Sequence, residues 1–162
     1  MTTYKTSLDN SAKAITIGVT ILFAFIIVGQ YSLIKDAGRA VPIYATVALL
    51  LIYFIAFAFR PINYSITNVK LIIHRLFMDA RIDRSQIKSV QLLGKEKPGW
   101  SIRTFGVGGL FGYFGKFANA KLGSMTWYGT RRDRAVLVRT LGDNKIILTP
   151  NDPDKFVADF FL

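Results

Sequence analysis

Residue types that carry most protein chemistry are scarce in this chain. Its 162 residues include one histidine and no cysteine, an absence that fits a reducing compartment without requiring one. His74, with no clustered acids, makes a poor metal site, and no Ser-His-Asp set can be assembled around it. Asp79 with Asp83, and Asp152 with Asp154, are explained by turns and by a helix start. We therefore predict no catalytic residues, no metal and no cofactor, and a protein that is not an enzyme.

Charge is absent from two long apolar runs near the N-terminus. Ala14–Ile34 and Ala40–Phe59 are 21 and 20 residues long and contain no Asp, Glu, Lys or Arg. As a helix, each run reaches roughly 30 Å, which is about the thickness of the hydrocarbon core of a bilayer. The polar gap Lys35–Arg39 can only turn the chain around. We predict a tail at residues 1–13 and a transmembrane helical hairpin at 14–60, rather than the buried helices of a soluble protein.

Flanking charge sets the predicted orientation of this hairpin. The cations of the tail, of the turn and of the stretch after the second run are, in that order, Lys5 and Lys13, Lys35 and Arg39, and Arg60, Lys70 and Arg75. By the positive-inside rule the tail and the last stretch outweigh the turn, so both termini are predicted to be cytoplasmic. Gln30 is predicted to lie at the membrane interface or, alternatively, to form a hydrogen bond between the helices.

After Arg60-Pro61 the pattern changes from continuously apolar to alternating, which is typical of β-strands. Seven strands are predicted, at Ile62–Thr67, Lys70–Leu76, Ala80–Asp83, Val90–Leu93, Met125–Thr130, Arg134–Thr140 and Lys145–Thr149. Asp152 and Pro153 begin a C-terminal helix. Its predicted apolar face consists of Phe156, Val157, Phe160 and Phe161. The fold class is therefore an α+β membrane protein with a β-barrel or sandwich of antiparallel strands, capped by a helix, at residues 61–162.

Four stretches of this region resemble bacterial pleckstrin-homology (PH) domains. They are Tyr64–Ile73, Arg81–Val90, Arg103–Phe117 and Thr149–Pro153. Proteins of that family often place the domain beside one or two transmembrane helices. The resemblance implies two near-orthogonal antiparallel sheets with a capping helix and a membrane-associated interaction role, and it implies no catalytic residues.

The third of these stretches is rich in glycine and aromatic residues. Glycines recur at every third position with rings between them: Gly106, Gly109, Gly112 and Gly115, with Phe111, Tyr113 and Phe114. The spacing matches neither a dinucleotide fingerprint nor a phosphate loop. One prediction is a flexible loop that contacts the lipid interface, the second span or a partner, with Arg103 and Lys116 at the headgroups. The other is a set of bends whose rings fill the domain core.

Arg131, Arg132 and Arg134 form a basic turn between two predicted strands. Guanidinium groups suit phosphate oxygens, so we predict that this turn binds anionic headgroups, and a solvated hairpin tip is the alternative. Eukaryotic PH domains that bind phosphoinositides place basic residues around the first hairpin. Here the turn Thr67–Lys70 has one lysine, so phosphoinositide recognition is not implied.

The formal net charge of +11 is favourable beside an anionic leaflet, and no nucleic-acid-reading motif accompanies it. We predict a PH-like interaction or scaffold module at the cytoplasmic face of a bacterial inner membrane, which binds anionic lipid or a protein partner. An accessory or homo-oligomer-forming subunit of a larger membrane complex is the alternative, and a lipid-acting enzyme is a weaker one. Small residues that would let helices approach closely for such assembly are Ala45, Ala48, Ala56 and Ala58.

Overall fold

The structure, a computed structural model, describes residues 1–37, 40–93 and 101–161, with the backbone alone for 31–37 and 40–42. Its elements are β1 (Thr2–Lys5), α1 (Asn10–Ala37), α2 (Ala40–Ala58), β2 (Pro61–Ile66), β3 (Lys70–Arg75), β4 (Ala80–Asp83), β5 (Ile87–Leu93), β6 (Ile102–Gly109), β7 (Gly112–Asn119), β8 (Gly123–Gly129), β9 (Ala135–Thr140), β10 (Lys145–Leu148) and α3 (Pro153–Phe160).

The two apolar runs form α1 and α2, which pack antiparallel. Thr20 Oγ1 lies 2.7 Å from Tyr53 Oη, and Thr46 Oγ1 donates to Gln30 Oε1 at 2.6 Å. Of the two alternatives for Gln30, the bond between helices is therefore the one that the structure contains. In the part of the chain that the structure describes, one stretch, Asn10–Gln30, is long and apolar enough to cross a membrane, and Ile43–Ala58 is shorter.

The turn between these helices was predicted to face outside. It includes residues 38 and 39, which lie outside the described residues. One membrane-length helix is thus established by length and composition, with a mean hydropathy of 2.2. The second span and the topology stay predictions.

β1 precedes α1 in the chain yet pairs with β2, which follows α2. The register is antiparallel, with Thr2 opposite Ile66 and Lys5 opposite Asn63. Residues of the predicted tail therefore extend the sheet of the C-terminal region. α1 therefore starts and α2 finishes beside this sheet, which fixes these two helix ends next to each other.

The strands form two sheets, with the orders β1-β2-β3-β4 and β5-β9-β10-β8-β7-β6. Neighbours are antiparallel except β8 and β10, which are parallel. The α+β class and the C-terminal helix are confirmed. The closed barrel is wrong for the described ranges because their strands pair within two separate sheets. The strand number rises from seven to ten because β1, β6 and β7 were not predicted.

β9 shows how the six-stranded sheet separates two parts of the core. Val136 and Val138 contribute to a cluster with Phe156 from α3, whereas Leu137 contributes to a cluster with Trp127. All three β9 side chains are at most 3 % exposed, because alternate residues of a strand point to opposite faces. Both faces of this strand are therefore covered, by the four-stranded sheet with α3 on one side and by the start of α1 on the other.

α3 begins as the sequence predicts and ends one residue earlier than its apolar pattern suggests. Asp152 accepts a hydrogen bond from Lys155 N at 3.1 Å, with Pro153 in the first turn. Phe156 is fully buried, with its ring centroid 5.0 Å from that of Tyr4 in β1. Phe161, predicted to share the buried face, is 68 % exposed because it lies at the C-cap, where the helical periodicity stops.

Phe156→Ala is expected to lower the free energy of unfolding by about 3–5 kcal/mol, because it removes a ring from the fully packed core. Chemical unfolding of the purified full chain in detergent, followed by near-ultraviolet circular dichroism, measures this change. Phe161→Ala is the matched control, and it should stay within about 0.5 kcal/mol of the parent. Equal losses in the two variants would contradict the role assigned to α3.

Candidate functional site

The basic turn at residues 131–134 lies beside the first turn of α1, and Asp9 joins the two. Asp9 caps the helix, since its Oδ1 accepts a hydrogen bond from Ala12 N at 2.7 Å. Its Oδ2 accepts from Arg132 N at 3.0 Å, and its own backbone N donates to Thr130 O at 3.3 Å. One carboxylate thus fixes the basic turn to the place where the apolar helix leaves the domain.

The three arginines of the turn differ in their partners. Arg131 donates to both oxygens of Asp133, at 2.7 and 2.9 Å, and this hydrogen-bonded pairing holds the pKa of Asp133 below its ordinary value. Arg134 Nη2 lies 3.3 Å from Asp154 Oδ2 in an exposed ion pair. Arg132 instead stacks its guanidinium 4.6 Å from the centroid of the Tyr113 ring. Of the three, Arg132 is the cation that forms no ion pair with a carboxylate of the described residues.

Tyr113 lies between the basic turn and the domain core. Its hydroxyl donates to Asp9 Oδ1 at 3.3 Å, and its ring centroid lies 6.3 Å from that of Trp127. Burial, reinforced by the negative charge of Asp9, raises the pKa of the Tyr113 phenol. The hydroxyl therefore stays protonated as a donor and supports Asp9 in its position.

The glycine-rich segment forms a β-hairpin, β6–β7, and the prediction of a flexible loop is corrected. Gly106 pairs with Gly115, and Gly109 pairs with Gly112. All four have φ between 107° and 128°, a region that side-chain-bearing residues rarely adopt. A Cβ on Gly106 would lie 2.3 Å from Phe114 O, and one on Gly115 would lie 2.4 Å from Phe105 O. The glycines are needed because the two strands approach more closely than a Cβ permits.

The three rings predicted to face lipid or a partner are buried within the chain. Phe111, Tyr113 and Phe114 are 7, 1 and 6 % exposed. The Phe111 ring centroid lies 5.0 Å from that of Tyr53 and 5.3 Å from that of Phe57, both in α2. Packing on the second apolar helix, one of the alternatives considered, is thus present. Instead, the large apolar side chains that this hairpin exposes are Ile102 and Phe105 of β6.

The tip of the hairpin also contacts α1. Phe111 N donates to Thr16 Oγ1 at 2.9 Å, and a Cβ added at Gly109 would lie 2.5 Å from Ile15 Cδ1. The tip therefore packs against both helices, about two turns along α1 from its start. The domain and the helices form one packed unit at this point.

Arg103 and Lys116 lie on the strands of the hairpin. Arg103 is exposed on β6, and Lys116 Nζ donates to Thr126 Oγ1 at 2.8 Å. No hydrogen bond joins either side chain to the basic turn within the described ranges. The predicted set of eight residues is consequently divided between an exposed basic turn, a buried group of rings and two strand cations.

Arg60 is a further cation at the same end of the domain, and it was not among the predicted site residues. Its guanidinium carbon lies 4.3 Å from the centroid of Phe57 and 5.9 Å from that of Phe111. It borders a cavity of about 190 Å³ that is also lined by Thr6, Leu8, Pro61, Ile62, Phe111 and Thr130. The sequence feature that could have identified Arg60 as a site residue is its position as the first charged residue after the second apolar run.

His74 is hydrogen-bonded to both Asp79 and Ser65, which corrects the prediction that no Ser-His-Asp set would assemble around it. Its Nδ1 lies 3.1 Å from Asp79 Oδ2, its Nε2 lies 3.0 Å from Ser65 Oγ, and Ser65 Oγ lies 3.0 Å from Thr3 Oγ1. Ser65 is fully buried, so its oxygen offers no surface to a substrate. The arrangement links β1, β2 and β3 as a structural network. No group of three metal-ligating side chains is found where the chain is described.

Gly115→Ala is expected to destabilise the protein by more than about 1 kcal/mol, because the added Cβ meets a backbone oxygen and the positive φ becomes strained. Gly108→Ala in the same hairpin is the control, since its Cβ would come no closer than 3.5 Å to the Arg103 side chain. Chemical unfolding of both full-length variants measures the difference. A stability of Gly115→Ala equal to that of the control would contradict the close strand approach.

A family model described as a bacterial PH domain matches residues 62–160. The match spans β2 to α3 and leaves out β1, α1 and α2. No curated protein and no solved structure matched the chain.

Proposed function

Because this chain belongs to the bacterial PH domain family, we propose that it is a membrane-anchored interaction module whose basic end binds anionic lipid headgroups at the cytoplasmic face of the inner membrane. The observation that carries the proposal is the attachment of the basic turn to the start of α1 through Asp9. A cationic turn held at the root of an apolar helix lies at headgroup level when that helix crosses a bilayer.

The surface of the helices supports their role as the anchor. Large apolar side chains are exposed along both of them, including Phe25 at 72 % and Val28 at 70 % in α1, and Phe54 at 60 % in α2. Such a surface is costly in water and favourable in hydrocarbon, where helices also satisfy all of their backbone hydrogen bonds internally. The two helices leave and re-enter one domain, so the hairpin places that domain directly on the membrane surface.

Several cations at this end lack a carboxylate ion-pair partner in the described residues, among them Lys13 in the first turn of α1, Arg60 after α2, and Arg132 in the basic turn. Arg60 and Arg132 rest on aromatic faces, which hold their guanidinium groups without neutralising them. Arginine in this state is weakly hydrated and pairs well with phosphate oxygens. These cations therefore favour an anionic lipid over a neutral one.

We expect the domain to face the cytoplasm. Since the chain has no cysteine, single cysteines can be introduced at Ser124 on β8 and at Ala37 near the end of α1. In intact cells a membrane-impermeant thiol reagent should label position 37 and leave position 124 unlabelled until the cells are permeabilised. Labelling at 124 in intact cells would reverse the proposed orientation.

Neutralising the basic turn is expected to weaken anionic lipid binding by about fivefold, because each cation near a headgroup contributes about 1 kcal/mol and two of the three are already paired. The variant carries glutamine at Arg131, Arg132 and Arg134. Native mass spectrometry of the full chain with added phosphatidylglycerol counts the bound lipids.

A control of equal charge replaces three cations at the opposite end of the sheets, Lys70, Lys88 and Lys145. That end is identified by hydrogen bonds from Arg84 N to Val69 O and from Leu141 N to Gln86 O. The control should retain lipid binding, and binding by the parent should fall with added salt because the screening length shortens. Equal losses in the two variants would show that net charge alone attracts the lipid.

A further inference from the structure

A second surface at the same end of the domain is apolar. The β3–β4 turn, Leu76-Phe77-Met78, exposes three consecutive large apolar side chains, at 57, 58 and 68 %. We call these three residues the apolar turn. Exposed single apolar residues are common, but three in succession on a tight turn form a protruding patch that water solvates poorly.

The apolar turn is attached to the end of α2. Phe77 N donates to Ala58 O at 3.0 Å, which continues the hydrogen bonding of the last helical turn. The Phe77 ring centroid lies 5.7 Å from that of Phe59. The turn therefore extends the apolar surface of α2 sideways, at the level where the second uncharged run ends.

The backbone of the turn directs these side chains outward. Asp79 accepts hydrogen bonds from Arg75 N at 3.2 Å and from the His74 ring at 3.1 Å, so the nearest carboxylate is engaged on the inner side. Met78 adopts φ of 61°, the left-handed conformation that reverses the chain within a short turn. The outer side of the turn thus presents apolar groups without a negative charge.

Two arginines lie at this end of the domain, Arg75 directly before the apolar turn and Arg60 directly after α2, and their charge indicates the surface that the turn meets. Arg75 has its guanidinium carbon 5.3 Å from the centroid of Phe59, and Arg60 has its own 4.3 Å from Phe57. Neither forms an ion pair with a carboxylate in the described part of the chain. Apolar side chains bordered by unpaired arginines match a bilayer interface, where acyl chains lie directly below phosphate groups.

From this juxtaposition we propose that the apolar turn inserts into the interfacial layer of the bilayer that holds α1 and α2, with Arg60 and Arg75 at the level of the phosphates. This inference rests on the membrane anchoring proposed above and adds a second, lateral contact to it. Insertion at two points would fix the tilt of the domain on the membrane, which a helical pair alone leaves free to vary.

Depth-dependent fluorescence quenching tests the inference on the full chain. Single cysteines replace Met78 in the apolar turn, Val69 in the β2–β3 turn and Phe25 in α1, and each carries an environment-sensitive dye. Val69 is the matched control, since it is an apolar turn residue that is 65 % exposed at the other end of β3. Each protein is reconstituted into two sets of vesicles in which some lipids carry a nitroxide on the acyl chain, near the headgroup in one set and near the chain end in the other, so that quenching is read at the depth of each dye.

We expect the dyes at positions 25 and 78 to shift to shorter wavelength and to lose most of their emission, while the dye at 69 keeps its own. If 25 is quenched while 78 matches 69, the anchor stands and the insertion of the apolar turn is overturned. If none of the three is quenched, the anchoring itself fails, and the inference fails with it. A dye at Leu76, measured in the same way, guards against a local effect of the substitution at 78.

Discussion

The pairing of β1 with β2 is the constraint on which the remaining geometry depends. It joins a strand before α1 to a strand after α2, with Thr2 opposite Ile66, and so returns both helices to one sheet. The pairing adds a row of backbone hydrogen bonds, and Tyr4 of β1 also packs its ring on Phe156 of α3. The N-terminal residues are thereby held by the core of the C-terminal domain, and α1 begins at a fixed point on its surface.

Asp9 joins this fixed point to the basic turn. An N-cap side chain ordinarily satisfies one or two backbone donors of its own helix. Here the carboxylate also accepts from Arg132 N and from the Tyr113 hydroxyl. Loss of this one side chain would therefore release the basic turn, a core ring and the first turn of α1 together. A cap that serves three elements explains why the arginines lie at the root of the apolar helix.

Elements that carry a strong local sequence signal were predictable, whereas β1, which is fixed by its pairing with a distant strand, was not. The two uncharged runs and the Asp152-Pro153 start of α3 carry local signals, and they appear as helices near the expected bounds. β1 is four residues long, and its position is set by a partner more than fifty residues away, so no local pattern marks it. Glycine at every third position indicates a bend or a loop by propensity, whereas here it permits two strands to meet at Gly106 and Gly115.

The candidate site was predictable in composition and not in contacts. A basic turn is visible in the sequence, but the pairing of Arg131 with Asp133 and the stacking of Arg132 on Tyr113 depend on tertiary structure. The rings of the glycine-rich segment have the composition of an interfacial loop. Phe111 is buried because the hairpin tip lies against Thr16 and Tyr53, and Tyr113 is buried because its ring packs near Trp127 in the domain core.

In the proposed function, membrane anchoring lowers the lipid affinity that the basic end of the domain needs. A domain that must find a membrane from solution needs enough affinity to offset the loss of its translational freedom. A domain already joined to two membrane-embedded helices meets lipid headgroups at a high effective concentration. Contacts that contribute only about 1 kcal/mol each are then sufficient to bind headgroups. In the proposed function, Lys13, Arg60 and Arg132 therefore serve to select which lipids surround the helices and how the domain is tilted. In the same proposal the two apolar helices supply the location of the domain, and salt does not screen their hydrophobic contribution.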